Sequence, residues 1–549
     1  MRDSFTPKLV TALREGYRLA ELRADMIAGL TVAIVALPLA MALGIASGAS
    51  PDKGLVTAVV AGFLISALGG SRLQVGGPTG AFVVVIFNVI AQHGYDGLVL
   101  ATLLAGLILL AAGYARLGKL IRFVPHPVVT GFTAGIAVII ASSQVRDFLG
   151  LPLADVPAEF VPQWLAYLSA IGRLSLATFA VGAGALVLIV ALKKLAPRLP
   201  GYLIAVVVAS AVVGLLDLPV DTVGSRFPDI PAGLPMPNLP HVTLAKIQAV
   251  MPSAFTIAFL AGIEALLSAV VADGMAGTRH RPNQELVGQG LANLASGLFG
   301  GLPATGAIAR TATNIKAGAR TPFAGMFHAA FLLLFVLFAT DLMAFVPMAA
   351  LAAILFTVAL GMSEYRRFGR LLRVPGGDRA VLLLTFLLTV MVDLTTAIAV
   401  GVTLASLIFM MRMSEAVRVE GTSAIHAAPD LDDDLDQRAA LPPGVEVFRI
   451  AGPFFFGVAG ELLDTLRNLG QRPRVVILRM RRVPFLDTSG AAALDQFVSQ
   501  AALGGTRVIL SGVQPEALQV LAGAGLGSET ERVLYAPDYP AALALAAPE

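Results

Sequence analysis

Long runs of apolar residues follow one another from about Met26 to Met411, with short polar segments between them. A helix needs about 20 apolar residues to cross a bilayer, and fewer where it is broken or begins at mid-membrane. The pattern predicts about 14 helical spans, with 12 as the alternative count. They begin near Met26, Leu55, Ala81, Leu98, Val128, Leu174, Tyr202, Ser253, Gln284, Gly306, Pro322, Val346, Ala380 and Ala397.

The composition agrees with lipid as the solvent for most of the chain. Of the 549 residues, 56% are hydrophobic and 14% are charged, and the mean hydropathy is +0.80. This is more apolar surface than one water-soluble core can bury. The net charge of +3 gives no indication of nucleic-acid binding, and the absence of cysteine excludes thiol chemistry. The basic segment 1–25 lacks a cleavage signal, so we expect the first span to remain as an anchor.

Lysine and arginine gather in alternate loops, which is the pattern of cytoplasmic loops in membrane proteins. The opposite loops are mostly acidic, with Arg146, Arg173 and Arg226 as exceptions. An even number of spans with both termini in the cytoplasm fits this distribution. The basic loops carry Arg116, Lys119 and Arg122; Lys193, Lys194 and Arg198; Arg279 and Arg281; Lys316 and Arg320; Arg366, Arg367, Arg370, Arg373 and Arg379; and Arg412.

A glycine-proline motif occurs twice. Gly69-Gly70 is followed by Gly76-Gly77-Pro78-Thr79-Gly80-Ala81, and Gly300-Gly301 is followed by Pro303-Ala304-Thr305-Gly306-Ala307. Each motif opens a short apolar stretch. Seven spans per half would make two inverted repeats, about 26–216 and 250–412, as in many secondary transporters. The predicted membrane domain is therefore 26–412.

The sequence changes character after Met413. A linker, 413–444, contains the acidic run Asp430 to Asp436, and the segment 445–549 has the pattern of a small soluble α/β domain. Strands are predicted over Val445 to Ile450, Arg474 to Met480 and Thr506 to Gly512, and helices over Val458 to Leu469, Ser489 to Leu503 and Pro515 to Leu521.

The two short stretches are the best candidates for a binding site. A helix that begins at mid-membrane exposes unpaired backbone N–H groups and the positive end of its dipole, which favour an anion. Two such ends would form one site, lined by Thr79, Gly80 and Ala81 and by Thr305, Gly306 and Ala307. The threonines can cap a helix or donate a hydroxyl hydrogen bond. The alternative is that both motifs are kinks that serve helix packing.

Two charged residues fall inside apolar runs. Arg310 could complement a bound anion, or its side chain could extend to the cytoplasmic face. Glu264, in the run Ile257 to Val271, could carry a coupling proton or bind a cation, or it could make a structural hydrogen bond to a broken helix.

Other kinds of chemistry find no support in the sequence. The six histidines do not form a metal-ligand spacing, and Gly504-Gly505-Thr506 lacks the spacing and lysine of a phosphate loop. We therefore expect no catalytic site, no metal and no cofactor, and transport that is not driven by ATP on this chain.

Four motifs in order resemble the SulP anion permeases, also called solute carrier family 26. They are Pro38-Leu39-Ala40-Met41-Ala42, Gln74 to Gly80, Gln284-Glu285-Leu286 with Gln289-Gly290-Leu291-Ala292-Asn293, and Gly306 with Arg310 to Asn314. The tail is similar to the STAS domain of that family. The resemblance implies an all-α polytopic membrane domain of 14 spans in two inverted repeats of seven, with core and gate parts, elevator-like access and a homodimer. It also implies a substrate site between the third and tenth spans, with Pro38 contributing, in a bacterial inner membrane.

Departures from the family pattern affect the substrate and the coupling ion. Sulfate permeases usually carry Gln after the first-span proline, where this chain has Leu39. Sodium-coupled bicarbonate members resemble this chain around Glu264 and at Thr79, but their second hydroxyl ligand falls at Ile308 here. Ser489, in Asp487-Thr488-Ser489-Gly490, matches the phosphorylated serine of bacterial STAS-type antagonists, although these residue types also favour a helix N-cap.

Three hypotheses follow. The first is a proton-coupled secondary transporter of a small anion, with a C4-dicarboxylate such as fumarate ahead of bicarbonate and sulfate. The second is an uncoupled anion channel or exchanger. The third is a membrane-tethered signalling protein whose STAS domain, a possible contact for a cytoplasmic regulator, is the output.

Overall fold

A computed structural model of the chain describes residues 5–119, 125–153, 156–157, 159–197, 199–228, 230–231, 233–374, 376–415, 418–420, 441–455, 473–527 and 532–547. The chain divides into two compact units, Met1–Thr403 and Leu404–Glu549.

Helices build the first unit. Those of the N-terminal half are α1 (Lys8–Glu15), α2 (Leu19–Ala46), α3 (Pro51–Leu68), α4 (Val83–Tyr114), α5 (His126–Ser143), α6 (Val145–Leu149), α7 (Phe160–Ala170), α8 (Leu176–Leu195), α9 (Gly201–Leu215) and α10 (Val223–Arg226). Those that follow are α11 (Leu244–Ala276), α12 (Pro282–Leu298), α13 (Ile308–Lys316), α14 (Phe323–Phe338), α15 (Met348–Met362), α16 (Tyr365–Leu372), α17 (Gly377–Met391) and α18 (Leu394–Glu415).

Many of these helices can cross a bilayer. By length and hydropathy, 8 of the described helices qualify, and α9 and α14 are shorter apolar helices. Each predicted span start lies in or beside a helix, and the third and fourth predicted spans correspond to the two helical parts of α4, which meet at a kink at Gly94 (φ 69°). The fold is a polytopic helical membrane protein, and the total of 14 spans stays a prediction.

Two short strands pair within the helical unit, and their pairing is called the β1–β2 crossing below. Strand β1 (Gly76–Gly77) pairs antiparallel with β2 (Thr305–Gly306), so that Gly76 lies opposite Gly306 and Gly77 opposite Thr305. A 3-10 turn, Gly80–Phe82, then leads into α4, and Ala307 is the N-cap of α13. The two glycine-proline motifs, far apart in sequence, are therefore side by side, as their repetition predicted.

The N-terminal segment attaches to the loop that precedes β1. The Lys8 amide donates to the Gly69 carbonyl at 3.1 Å, and Arg281 Nη1 donates to Thr6 O at 2.9 Å and Thr11 Oγ1 at 2.7 Å. Burial and then the neighbouring Arg281 lower the pKa of Lys8. Residues before α2 are thus part of the folded unit.

The second unit contains a five-stranded sheet. Its strands are β3 (Arg418–Glu420), β4 (Val445–Ala451), β5 (Val475–Arg482), β6 (Arg507–Ser511) and β7 (Val533–Ala536), and its described helices are α19 (Thr488–Leu503), α20 (Pro515–Gly523) and α21 (Tyr539–Ala546). The strand order is β3-β4-β5-β6-β7, with β3 antiparallel and the rest parallel. Parallel strands that are apolar on both faces need a cover on both faces. The core around Phe448 and Leu494 lies on one face, and the core around Val447 and Ala542 on the other.

The α/β prediction for this unit is confirmed, with differences in detail. The three predicted strands correspond to β4, β5 and β6, whereas β3 and β7 were not predicted. Strand β3 lies within the segment predicted as linker, and α18 continues to Glu415, so that segment is not uniformly irregular. The predicted helix over Val458 to Leu469 and the acidic run Asp430 to Asp436 lie outside the described residues.

Candidate functional site

The β1–β2 crossing fixes two segments against each other, the one that runs through β1 into α4 and the one that runs through β2 into α13. They are called the re-entrant segments below. Besides the strand pairing, the Ala307 amide donates to the Val75 carbonyl at 2.9 Å, and the Val75 amide donates to Thr311 Oγ1 at 3.1 Å. Asn314 Nδ2 donates to the Leu73 carbonyl at 2.9 Å. The first turn of α13 is therefore held to the strand that leads to Thr79.

Thr79 and Glu264 form the polar contact at the start of the first re-entrant helix. The Thr79 hydroxyl donates to Glu264 Oε2 at 2.8 Å, and both residues are half-buried. Thr79 is the N-cap of the 3-10 turn, but its side chain makes no capping bond there. Among the described residues, no cation lies within ion-pair distance of Glu264. Among the hydrogen bonds of the described residues, Glu264 makes none to the backbone of a broken helix, which was the structural alternative for this residue.

Thr305 uses its hydroxyl differently from Thr79. It is fully buried, and Oγ1 donates to the Ala261 carbonyl at 2.8 Å. Ala261 precedes Glu264 by one helical turn, so α11 contacts both re-entrant segments. The Thr305 hydroxyl hydrogen is therefore not free for a ligand, and of the two motif threonines it is Thr79 whose hydroxyl lies beside a carboxylate.

Arg310 is buried rather than extended to the cytoplasmic face. Its side chain is 2% exposed, and Nη2 donates to the Pro78 carbonyl at 2.9 Å while Nη1 reaches the Gly76 carbonyl at 3.5 Å. The alternative in which Arg310 snorkels is therefore wrong. Its positive charge lies beside the turn that presents Thr79, with Nε unpartnered among the described residues.

Two glycines of the crossing leave room for neighbouring side chains, and one of them, Gly77, has a φ that other residues rarely adopt. Gly77 has φ 147°, and a Cβ there would lie 2.2 Å from Arg310 Nη1. A Cβ on Gly80 would lie 2.6 Å from Met362 Sδ. A side chain at either position would displace the groups that surround the start of α4.

A polar face of α12 holds the loops that lead into both strands. Glu285 accepts hydrogen bonds from the amides of Gly70 at 2.8 Å and Ser71 at 3.0 Å. Two turns further along, Asn293 donates to the Ala304 carbonyl and accepts from the Ala304 amide, both at 2.9 Å. In the sequence, this segment is marked only by its resemblance to a family motif. The spacing of four residues from Glu285 through Gln289 to Asn293 was the available signal, since it places the three on one helix face.

The remaining predicted site residues are distributed unevenly. Gly80 and Ala81 are buried in the turn before α4, and Ala307 is buried at the start of α13. Pro38 lies in the interior of α2, which packs against α13, and is buried. Ile308, the first residue of α13, is 43% exposed. The crossing therefore joins Thr79, Glu264, Thr305, Gly306 and Arg310.

Ser489 belongs to the second unit. Asp487 is the N-cap of α19 and accepts from the Gly490 amide at 2.6 Å, whereas Ser489 is exposed in the first turn. The capping interpretation of this motif thus applies to Asp487. Among the described residues, no group of three or more His, Cys, Asp or Glu is placed to hold a metal ion.

Comparisons with known proteins agree with this architecture. The profile of the sulfate permease family matches residues 22–385, and that of the STAS domain matches residues 436–535. YvdB of Bacillus subtilis, which carries a provisional sulfate-transporter name, is 40% identical over 93% of this chain and 95% of its own length. The bicarbonate transporter BicA of Picosynechococcus is 32% identical over 87% of both chains.

Solved structures are also similar. The transmembrane domain of a cyanobacterial BicA is 32% identical and covers 71% of this chain and 98% of its own, with a TM-score of 0.62. The murine Solute Carrier 26 family member A9 anion transporter, in its inward-facing state, covers 98% of this chain and 94% of its own with a TM-score of 0.86; at 19% identity it shows the fold. The chain belongs to the sulfate permease family and is a multi-pass anion transporter with a STAS domain.

Proposed function

We propose that this protein is a secondary active transporter that moves a small anion together with protons across the bacterial inner membrane. The observation that carries the proposal is the hydrogen bond between Thr79 and Glu264 at the point where two re-entrant segments cross. It puts a group that can exchange a proton next to a helix start that can hold an anion.

The anion site would lie at the paired helix beginnings. Thr79 is the N-cap of the 3-10 turn that leads into α4, Ala307 is the N-cap of α13, and each helix end contributes about 0.3–2 kcal/mol toward an anion. A millimolar site needs only about 4 kcal/mol. The buried charge of Arg310 adds to the positive potential, although its guanidinium is bonded to the Pro78 carbonyl and so acts through space. Weak binding suits a carrier, which must release its cargo.

Proton coupling would use Glu264. A carboxylate in a partly buried site without a counter-cation is costly, and proton uptake removes that cost. Protonation changes the charge beside Thr79, so anion binding and proton binding at the two neighbouring sites would be linked. Sodium is the less favoured ion, because Ile308 offers no ligand oxygen at the position where the family resemblance places the second hydroxyl.

The names of related proteins and the residue at position 39 bear on which anion is transported. The names of the relatives point to sulfate and bicarbonate, whereas Leu39 departs from the residue usual in sulfate permeases. Family resemblance adds C4-dicarboxylates such as fumarate, which we rank first as the anion to test, with bicarbonate second and sulfate third.

The test is uptake of radiolabelled fumarate, bicarbonate and sulfate into proteoliposomes that hold the full-length protein. Uptake of one of them should rise with an inward proton gradient, and Glu264→Gln should abolish the response. Glu516→Gln, an exposed carboxylate of the second unit, is the matched control and should behave as the unaltered protein. If Glu264→Gln retains full gradient-dependent uptake, proton coupling at this residue is refuted. Currents that follow a chloride gradient, with no response to pH, would instead favour a channel or exchanger.

The orientation is tested separately. Because the chain has no cysteine, single cysteines can report which side of the membrane a loop faces. A cysteine at Lys316 should react only with reagent on the cytoplasmic side, and one at Arg173 only from outside. The opposite result would invert the proposed topology.

A further inference from the structure

Two arginines that break the charge pattern of the loops lie on one cavity. Arg146 and Arg226 were exceptions among otherwise acidic loops, and the fold brings both to a cavity of about 270 Å³. The cavity lies among the ends of α2, α5, α6 and α7, the first turns of α4, and α10. Arg146 and Arg226 therefore lie at one place in the fold, and the rule that Lys and Arg concentrate in cytoplasmic loops does not explain it.

Arg146, Arg226 and Asp147 line the cavity, and Asp221 lies near enough to act on the charge of Arg146. Arg226 Nη1 pairs with Asp147 Oδ1 at 2.8 Å. In the part of the chain that the structure describes, Arg146 has no hydrogen-bond or ion-pair partner for its guanidinium, and it is half-buried. An unpaired, partly desolvated guanidinium is costly, and a bound anion would relieve that cost through charge-assisted hydrogen bonds.

A buried hydroxyl points to the same ligand chemistry. The Tyr167 side chain lines the cavity and is 2% exposed, yet its OH has no partner among the described residues. Buried hydroxyl groups are normally hydrogen-bonded, to protein, water or ligand. The amides of Asn88 and Gln163 also line the cavity. Together these groups offer hydrogen-bond donors around a guanidinium that makes no ion pair among the described residues.

The size and position of the cavity restrict the ligand. A volume of about 270 Å³ leaves room for a small anion with part of its hydration shell. Val83 and Val84 form part of the wall, and they begin α4, the helix that follows the Thr79–Ala81 turn. The cavity therefore adjoins the helix whose opening turn forms the central site.

We propose that this cavity is a second anion site, in which Arg146 and Tyr167 bind a small oxyanion at the end of the membrane domain where α2 finishes. In the proposed orientation this is the outer end, so the site captures the anion before it reaches Thr79. Its role in transport rests on the proposed function, but binding to it does not.

The single tryptophan of the chain is a built-in reporter for this site. Trp164 Nε1 donates to Ser142 Oγ at 3.1 Å, and the indole ring centroid lies 6.0 Å from that of Tyr167. The experiment follows Trp164 emission of the full-length protein in nanodiscs during titration with sodium sulfate, with ionic strength held by sodium gluconate. We expect a saturable change in emission. Arg146→Gln should raise the sulfate concentration at half-saturation at least tenfold, and Arg146→Lys should raise it less.

Two further variants make the outcome decisive. Arg173→Gln removes an exposed arginine near the same end of the domain and should leave the titration unchanged. Thr79→Val should leave the Trp164 response intact even where transport is lost. The absence of a saturable response in the unaltered protein would overturn the second site, as would an unchanged response in Arg146→Gln or its loss in Thr79→Val. A Trp164 response without any uptake would refute the proposed transport alone.

Discussion

Gly306→Ala is the substitution whose effect follows most directly from the β1–β2 crossing. A Cβ at Gly306 would lie 1.5 Å from Gln74 Nε2 and 2.5 Å from Gln74 Cδ, so the glutamine side chain must move. Gln74 is buried, which leaves it little room. Overpacking of this kind costs about 1–3 kcal/mol. We expect lower stability and, because Thr305 and Ala307 flank the substitution, at least tenfold slower transport.

Gln74→Ala should restore what Gly306→Ala disrupts. The Gln74 amide has no hydrogen-bond partner among the described residues, so its removal also removes a buried unsatisfied group. In the double variant the new methyl group occupies space that the amide vacates. The cycle of single and double variants should therefore show a coupling free energy of about 1–3 kcal/mol.

The assay is thermal unfolding of the purified full-length protein together with the uptake measurement described above. Gly184→Ala, in α8, is the matched control, because nothing lies within 4 Å of a Cβ there. It should be neutral or slightly stabilising, since alanine favours a helix over glycine. Stability and uptake of Gly306→Ala equal to the unaltered protein, or a double variant no better than Gly306→Ala, would refute the packing argument.

Three further predictions concern other contacts. Asn293→Leu should destabilise the protein by about 1–3 kcal/mol for each of the two Ala304 groups that lose a partner, measured by thermal unfolding; a value near zero would contradict the proposed role of α12. Thr79→Ser should keep most uptake and Thr79→Val should lose it, because only serine can donate to Glu264; equal uptake by both would exclude this hydrogen bond from the mechanism. Asp487→Ala should weaken the start of α19 by about 0.5–2 kcal/mol, seen as faster amide hydrogen exchange in 488–503 of the full chain, whereas Ser489→Ala should leave exchange unchanged.

Much of the fold could be predicted from local sequence. Apolar runs indicated where helices lie, and β4, β5 and β6 followed from short apolar segments between turn residues. The short strands β3 and β7 were missed, since three or four residues give too little periodicity to recognise. The third and fourth spans, predicted to begin near Ala81 and Leu98, correspond to the two helical parts of α4 on either side of the kink at Gly94.

The site was predicted by its motifs but not by its contacts. Thr79 and Thr305 occupy matching places in the two motifs, yet one donates to a carboxylate and the other to the Ala261 carbonyl. Similarly, the sequence was compatible with two positions for the Arg310 side chain, beside the anion site or at the cytoplasmic surface. Which partner a side chain meets depends on the helices that pack around it, and no local pattern specifies that.

The sequence by itself determined that the chain spans a membrane, that it carries a separate α/β domain, and that two glycine-rich turns interrupt its spans. These properties follow from hydropathy and backbone freedom, which act over neighbouring residues. Tertiary structure alone decided that Thr79 meets Glu264 across 185 residues and that Arg146 lies in a cavity with Tyr167. Such contacts arise only when packed helices bring distant segments together. The local sequence of a helix sets its own backbone conformation but does not specify which other helices pack against it.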